Sequence, residues 1–126
     1  MKPVNTACRS FCIGDKLVGE GAPVYFVADI AANHDGDLGR AKDLIYLAKQ
    51  AGADAAKFQH FKAATIVSDL EFRRQGGVQS HQSAWKTSVF DVYSAASVDL
   101  KWTPILKQTC DEVGIDFLTT PYSYEL

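Results

Sequence analysis

"PVYFVADIAANHDGDLGRAKDLIYLAKQAGADAAKFQHF", Pro23 to Phe61, decides the fold. Its first ten residues, Pro23 to Ala32, are a nearly unbroken apolar run rich in strand formers. Without polar alternation, such a run suits a strand covered on both faces, as in parallel sheets. "NHDGD" breaks it. Leu38, Ala41, Leu44, Ile45, Ala48 and Ala51 then recur at helical spacing, with Asp37 as N-cap and Gly52 where a left-handed C-terminal residue belongs. Ala53 to Phe61 is a second strand. Strand, helix and strand in that order make a βαβ unit, whose two strands must run parallel.

Downstream, "DLKWTPILKQTCDEVG" (Asp99–Gly114) predicts a second main helix, with Pro104 tolerable only near its first turn and Gly114 closing it. "IDFLTTPYS" (Ile115–Ser123) predicts a third strand ending in hydroxyl residues. Between strands two and three runs a long loop, residues 62–96. There "RRQGGVQSHQS" has the polarity and glycine content of a flexible segment, and "WKTSVFDVYSAAS" has room for a short helix. A loop of that length is more often functional than accidental. Upstream, residues 1–10 are a loose leader, and residues 11–21, "FCIGDKLVGEG", predict a hairpin turning at Gly14-Asp15.

The fold class is therefore α/β, with βα units over residues 22–126. Helices on one side of three parallel strands leave the other face in need of a partner. A (β/α)8 barrel takes about 250 residues, so the expectation is a partial TIM barrel, its first three βα units preceded by a short N-terminal β-hairpin. A doubly wound sheet is the rival, but "ANHDGDLG" lacks the G-x-G-x-x-G turn that such folds place after strand one.

Composition narrows the function classes. Hydrophobic residues make up 47% and charged residues 22% of the 126, as in ordinary globular proteins. A net charge of -2 gives no basic excess for nucleic acid or an anionic membrane. No apolar run approaches the roughly 20 residues that span a bilayer. The N-terminus lacks an apolar signal core, and three cysteines, Cys8, Cys12 and Cys110, cannot all pair within one chain. Both features favour reduced thiols and a cytoplasmic location. Cys8 and Cys12 have no second pair to complete a zinc site, so no metal ligand is assigned in this chain.

Three polar clusters fall at the C-terminal strand ends, where parallel α/β folds gather function: Asp29 with Asn33 and His34, Lys57 with Gln59 and His60, and Thr119-Thr120 with Ser123. Lys57 is the sharpest of these. It is either a solvated strand-end lysine or, set among Ala55, Ala56 and Phe58, an ammonium that needs an anion. Gln59 points to the same side as Lys57 and can hydrogen-bond a hydroxyl or amide, whereas His60 points towards the helices as a structural histidine. Thr120 and Ser123 offer neutral donors, or simply a turn around Pro121. Asp29 is a carboxylate in an apolar strand, where burial raises its pKa unless a cation or donors compensate. Asn33-His34 is a polar group at the rim or ordinary turn chemistry, and His34 lacks visible partners for a metal.

At these residues the sequence resembles the sialic acid synthase family, the N-acetylneuraminate synthases with their pseudaminic and legionaminic acid relatives. The resemblance lies in the strand ending in a carboxylate (Asp29), Asn33-His34-Asp35-Gly36, the Ala51 to Asp54 step, Lys57-Phe58-Gln59, and "LKQTCDEVGIDFLTTPYS". It covers residues 11–126 and is weakest across 62–96. It implies a TIM-barrel enzyme that condenses phosphoenolpyruvate with an N-acetylmannosamine-like sugar to a nine-carbon 2-keto acid and phosphate. By the same resemblance Lys57 and Thr120 hold phosphoenolpyruvate, with Ser123 beside them. Asp29 and Gln59 face the sugar and the reacting carbons, making Asp29 and Lys57 the catalytic pair, and Asn33 joins the substrate-binding residues.

The resemblance also implies a divalent metal, Mn2+ or Mg2+, in the full-length enzyme, held by histidines beyond this chain, and a full-length homodimer. The family has glutamate where this chain has Asp29, a carboxylate withdrawn by about 1.5 Å, one carbon–carbon bond. Two other readings stay open. One is a non-catalytic module that binds an anion or completes its sheet against another chain by self-association. The other is an aldolase-type phosphate-handling barrel with Lys57 as Schiff-base nucleophile.

Overall fold

The computed structural model describes residues 9–74 and 87–126. Strands β1 (Ser10–Ile13) and β2 (Lys16–Gly19) pair antiparallel, Phe11 opposite Val18 and Cys12 opposite Leu17. The expected hairpin is present around Gly14-Asp15, starting one residue earlier than the sequence suggested. Cys12 is exposed and Cys110 buried, and neither forms a disulfide.

Strand β3 (Val27–Ala31), helix α1 (Leu38–Gln50) and strand β4 (Ala55–His60) form the expected βαβ unit. The Asp37 carboxylate caps α1 by accepting the Arg40 backbone N–H at 2.7 Å, and this single bond fixes where the apolar run becomes a helix. Strand β3 begins at Val27, not at Pro23. Pro23 has no N–H to give a ladder, and the Phe26 N–H goes instead to the Asp54 carboxylate at 2.8 Å.

The segment 62–96 is more regular than the loop expected from its composition. Its described part carries α2 (Ala63–Ile66), α3 (Asp69–Arg74) and α4 (Val89–Ala96), the last capped by the Ser88 hydroxyl accepting the Asp91 N–H. Most of "RRQGGVQSHQS" lies outside the described residues. Helix α5 (Trp102–Val113) starts three residues later than Asp99, which leaves Pro104 within its first turn. It ends at Gly114, whose left-handed backbone (φ 74°) satisfies the Cys110 and Asp111 carbonyls. Strand β5 (Asp116–Pro121) completes a parallel sheet in the order β3-β4-β5.

The sheet has two unlike faces. Ala56 and Phe58 of β4 pack with Ala41 and Ile45 of α1 and with Leu106 and Cys110 of α5, all but closed to solvent. Phe117 of β5 stacks on Phe58 with ring centroids 5.9 Å apart. Burial pushes the Cys110 thiol up to about 11, so it serves as apolar filling. Period-two alternation then sends Asp29, Lys57, Gln59 and Thr120 to the opposite face, on which neither α1 nor α5 packs. Val24, Phe26 and Val27 are exposed, as expected of a sheet whose second apolar partner is absent from the described residues.

Candidate functional site

Lys57 sits in the middle of the central strand because its side chain leaves the sheet on the uncovered side. Its register partner on β3 is Asp29, and the ammonium lies 3.1 Å from Asp29 Oδ1. In this structure the anion that the buried-strand lysine needs is therefore Asp29. Of the two possibilities for Asp29, burial or a compensating cation, the structure supplies the cation, and the Asp29 side chain is 57% exposed, against 29% for Lys57, on an edge strand. The two charges cancel on an open surface.

Gln59 lies one step further along β4, in register with Thr120 of β5, and both point to the Lys57 side. Four of the six expected site residues, Asp29, Lys57, Gln59 and Thr120, thus share one face at the C-terminal half of the sheet. Asn33 follows β3 and lines, with Gln59, a cleft of about 280 Å3 roofed by Val92, Tyr93 and Ala96 of α4. Among the described residues no hydrogen bond is made by either carboxamide. Ser123 follows β5 with its hydroxyl buried and without a hydrogen-bond partner among the described residues, and no described contact joins it to Lys57.

The β3–α1 turn holds Asn33 in place. His34 is fully buried, and its Nδ1 accepts the Gly36 N–H at 3.1 Å, so the neutral ring carries its proton on Nε2. Nε2 is buried without a hydrogen-bond partner among the described residues, and the ring meets Trp102 of α5 in a T-shaped contact, ring centroids 5.6 Å apart. Arg40 ties the turn from outside, donating to the Asn33 carbonyl at 2.7 Å and pairing with Asp35 at 3.3 Å. Gly36 is needed here for two reasons. Its φ is +74°, and a Cβ would stand 3.0 Å from the Ala95 carbonyl oxygen of α4. Burial holds His34 below the usual imidazole pKa.

His60 behaves as the sequence suggested. It points to the helix side, between the Thr119 hydroxyl and the Thr103 hydroxyl, the latter at 2.8 Å, and burial lowers its pKa. Neither histidine is free to leave its packing for a metal. Among the described residues no three His, Cys, Asp or Glu side chains come together, and Asp29 pairs with Lys57 and with no second acidic group. These residues do not fit a divalent metal, and no step of the chemistry below passes through one.

A second polar cluster, unmarked by any sequence pattern, lies at the other end of the sheet. Lys16 of the hairpin pairs with Asp54 at 3.1 Å and reaches Asp116 at 3.9 Å, while its ammonium stands 5.5 Å from the Tyr25 ring centroid. The Tyr25 hydroxyl donates to Asp116 at 2.6 Å. Burial first, and then this bond, drive the Tyr25 pKa above the phenol range. The Phe26 N–H first, and then Lys16, hold the Asp54 carboxyl below its ordinary pKa. Only the tertiary fold brings these four residues together, from positions up to a hundred residues apart.

The profile described as the NeuB family matches residues 44–126. The spore coat polysaccharide biosynthesis protein SpsE of Bacillus subtilis is 35% identical over 111 residues, covering 88% of this chain and 28% of that protein. The human N-acetylneuraminate-9-phosphate synthase is 46% identical over 106 residues, covering 81% of this chain and 28% of that protein. The crystal structure of a sialic acid synthetase from Leptospira borgpetersenii, in complex with citrate, superposes with a TM-score of 0.70 at 24% identity. It matches 94% of this chain and 36% of that one, a likeness of fold. The chain thus spans under a third of the length of these curated relatives. No helix among the described residues is long and apolar enough to cross a membrane.

Proposed function

The chain belongs to the NeuB family, and from that premise we propose that it forms the N-terminal part of a sialic-acid-type synthase. The reaction joins phosphoenolpyruvate to an N-acetylmannosamine-like sugar, giving a nine-carbon 2-keto acid and phosphate. Support for a partial TIM barrel comes from the consecutive parallel order β3-β4-β5, with α1 and α5 both packed on one face. Functional groups of such barrels stand at the C-terminal strand ends.

One observation carries the reading. The Lys57 ammonium stands on the open face beside two uncharged hydrogen-bonding side chains, and its only described counterion is a solvent-exposed carboxylate that an incoming anion can displace. A phosphate or carboxylate of phosphoenolpyruvate replaces Asp29 at Lys57, with the Thr120 hydroxyl as a further donor. Asp29, released from the pair, becomes free to accept a hydrogen bond or a proton from the sugar. Gln59, one step beyond Lys57 on β4, is assigned to orienting the sugar by its carboxamide. The phosphoenolpyruvate methylene carbon then attacks the aldehyde carbon, forming the new carbon–carbon bond as the carbonyl π bond breaks and the aldehyde oxygen takes a proton from solvent to become a hydroxyl. Water adds to the cationic centre left at the phosphate-bearing carbon, and cleavage of the carbon–oxygen bond releases phosphate. Holding both reactants at one strand tip converts a bimolecular encounter into an intramolecular step.

Lys57→Ala tests the assignment. Phosphoenolpyruvate, titrated into the protein and followed by amide chemical shifts, should bind at least about tenfold more weakly, the loss expected for one charge-assisted contact. N-acetylmannosamine binding should change little. An unaltered affinity for phosphoenolpyruvate refutes the site.

A further inference from the structure

We propose that His34 is a positioning residue, whose buried ring sets the β3–α1 turn so that the Asn33 carboxamide is held facing the sugar. The inference rests on the synthase reading above and adds to it a residue that is itself closed to solvent.

The turn does not hold its shape by local preference. Between Ala31 and Gly36 three residues lie in the left-handed region, Ala31 (φ 53°), Asp35 (φ 50°) and Gly36 (φ 74°), and only the last is a glycine. Such strain persists where surrounding contacts over-determine the backbone, and it gathers at binding sites. The ladder shifts at the same place. Asp29 pairs with Lys57 but Ala31 pairs with Phe58, which leaves Ile30 as the extra residue of a bulge. The chain therefore leaves the sheet, immediately before Asn33, along a path that something must enforce.

His34 is placed to enforce it. Its Nδ1 accepts the N–H of Gly36, two residues on, at 3.1 Å, the bond that an asparagine or aspartate oxygen makes in an Asx turn. Here the acceptor belongs to a rigid ring packed against Trp102 of α5, so the turn is tied to the helix layer. Asn33 is the adjoining residue, and its backbone is held on both sides. Its N–H goes to the Ile30 carbonyl at 3.0 Å, and its carbonyl accepts from Arg40 Nε at 2.7 Å. Arg40 is more than half exposed and shares that bond with water, so the buried histidine is the stronger tie. With its backbone fixed, Asn33 keeps only side-chain torsions to vary, and its carboxamide lines one cleft with Gln59.

A double-mutant cycle tests the proposal, with N-acetylmannosamine and phosphoenolpyruvate titrated into the 126-residue chain and followed by amide chemical shifts. His34→Phe keeps a ring against Trp102 and removes the acceptor, and Asn33→Ala removes the carboxamide. Each should weaken sugar binding about fivefold, the worth of one neutral hydrogen bond, and leave phosphoenolpyruvate binding unchanged. The double variant should bind no more weakly than either single one, because His34 acts through Asn33. His34→Asn restores the acceptor without the ring, and should melt earlier yet bind the sugar within about twofold of wild type. An unaffected His34→Phe, or losses that multiply in the double variant, overturns the proposal. So does a folded His34→Asn as weak as Asn33→Ala, and that comparison decides the matter if His34→Phe does not fold. Asn33→Ala without effect, in a chain whose wild type binds the sugar, overturns the proposal and leaves the synthase reading standing. Failure of wild type to bind the sugar, alone or with phosphoenolpyruvate present, overturns both.

Discussion

Replacing Asp29 with asparagine should strengthen anion binding at Lys57 while costing the fold little. The two groups lie 3.1 Å apart, where unit charges attract by about 1.3 kcal/mol at the dielectric of water. Asp29 is more than half exposed, so solvent and salt screen the pair, and exposed ion pairs contribute only about 0.2–1 kcal/mol to stability. Asparagine keeps the shape and removes the charge. Its cost by urea denaturation should fall within that same narrow range. The anion, however, no longer has to displace a carboxylate. The energy released from that competition, at most about 1 kcal/mol, corresponds to up to about fivefold tighter phosphoenolpyruvate binding. Calorimetric titration at low and at high ionic strength measures it, and the gain should shrink as salt rises. On the proposed reading, the same change in a full-length synthase should lower turnover, since it removes the carboxylate assigned to the sugar. Equal or weaker phosphoenolpyruvate binding in a folded Asp29→Asn protein at low salt would refute the claim that Asp29 and the substrate anion compete for one ammonium.

Three further outcomes follow from the packing. Phe58→Ala removes the largest fully buried side chain, stacked on Phe117, and should cost about 3–5 kcal/mol in chemical denaturation; a cost below 1 kcal/mol, on the scale of surface changes, would contradict the core. Burial lowers the pKa values of His34 and His60, so below about pH 6.5 the unfolded chain binds protons that the folded chain refuses. Stability should then fall on acidification by up to about 1.4 kcal/mol per pH unit for each histidine until its folded pKa is passed, and a flat profile from pH 7 to 5 would be inconsistent with two neutral buried rings. Asp54, with its depressed pKa, adds a separate loss at lower pH, as the carboxyl is protonated and its ties to Phe26 and Lys16 weaken. Finally, exposed Val24, Phe26 and Val27 beside the open edge of β3 should drive the isolated chain to self-associate. A monomer by sedimentation at micromolar concentration, melting cooperatively, would speak against a partial barrel.

Much of the fold was legible because local signals agreed with one another. Asp37 and Gly114 bounded their helices by capping chemistry that acts within a few residues, and the βαβ order followed from the change of period at "NHDGD". Alternation along β4 was enough to send Lys57 and Gln59 one way and His60 the other. What stayed hidden depends on distant partners. The exposure of Asp29 follows from β3 being an edge strand, which no periodicity encodes. Burial of His34 depends on Trp102, 68 positions away and on another helix. In segment 62–96 the short helix expected in "WKTSVFDVYSAAS" is α4, with Ser88 accepting from Asp91 as its cap, whereas α2 and α3, of four and six residues, are too short for a periodic signal.

On the proposed reading, the two ends of the sheet divide stability from chemistry. At the N-terminal end Lys16, Tyr25, Asp54 and Asp116 spend their hydrogen-bonding capacity on one another, tying the hairpin, the start of β3 and the starts of β4 and β5 together. At the C-terminal end the corresponding groups are left with little to do. The carboxamides of Asn33 and Gln59 face a cleft, and Lys57 has a counterion that water already reaches. Polar groups on a packed sheet are retained either because they hold the fold or because they wait for a ligand. On the proposed reading the first role is filled at the bottom and the second falls to Lys57, Gln59 and Asn33 at the top. A charge reversal separates the two: Lys16→Glu should loosen the fold through repulsion from Asp54 and Asp116, whereas Lys57→Glu should leave the melting transition nearly in place and abolish phosphoenolpyruvate binding. If both variants unfolded the chain alike, Lys57 would belong to the scaffold and the division would fail.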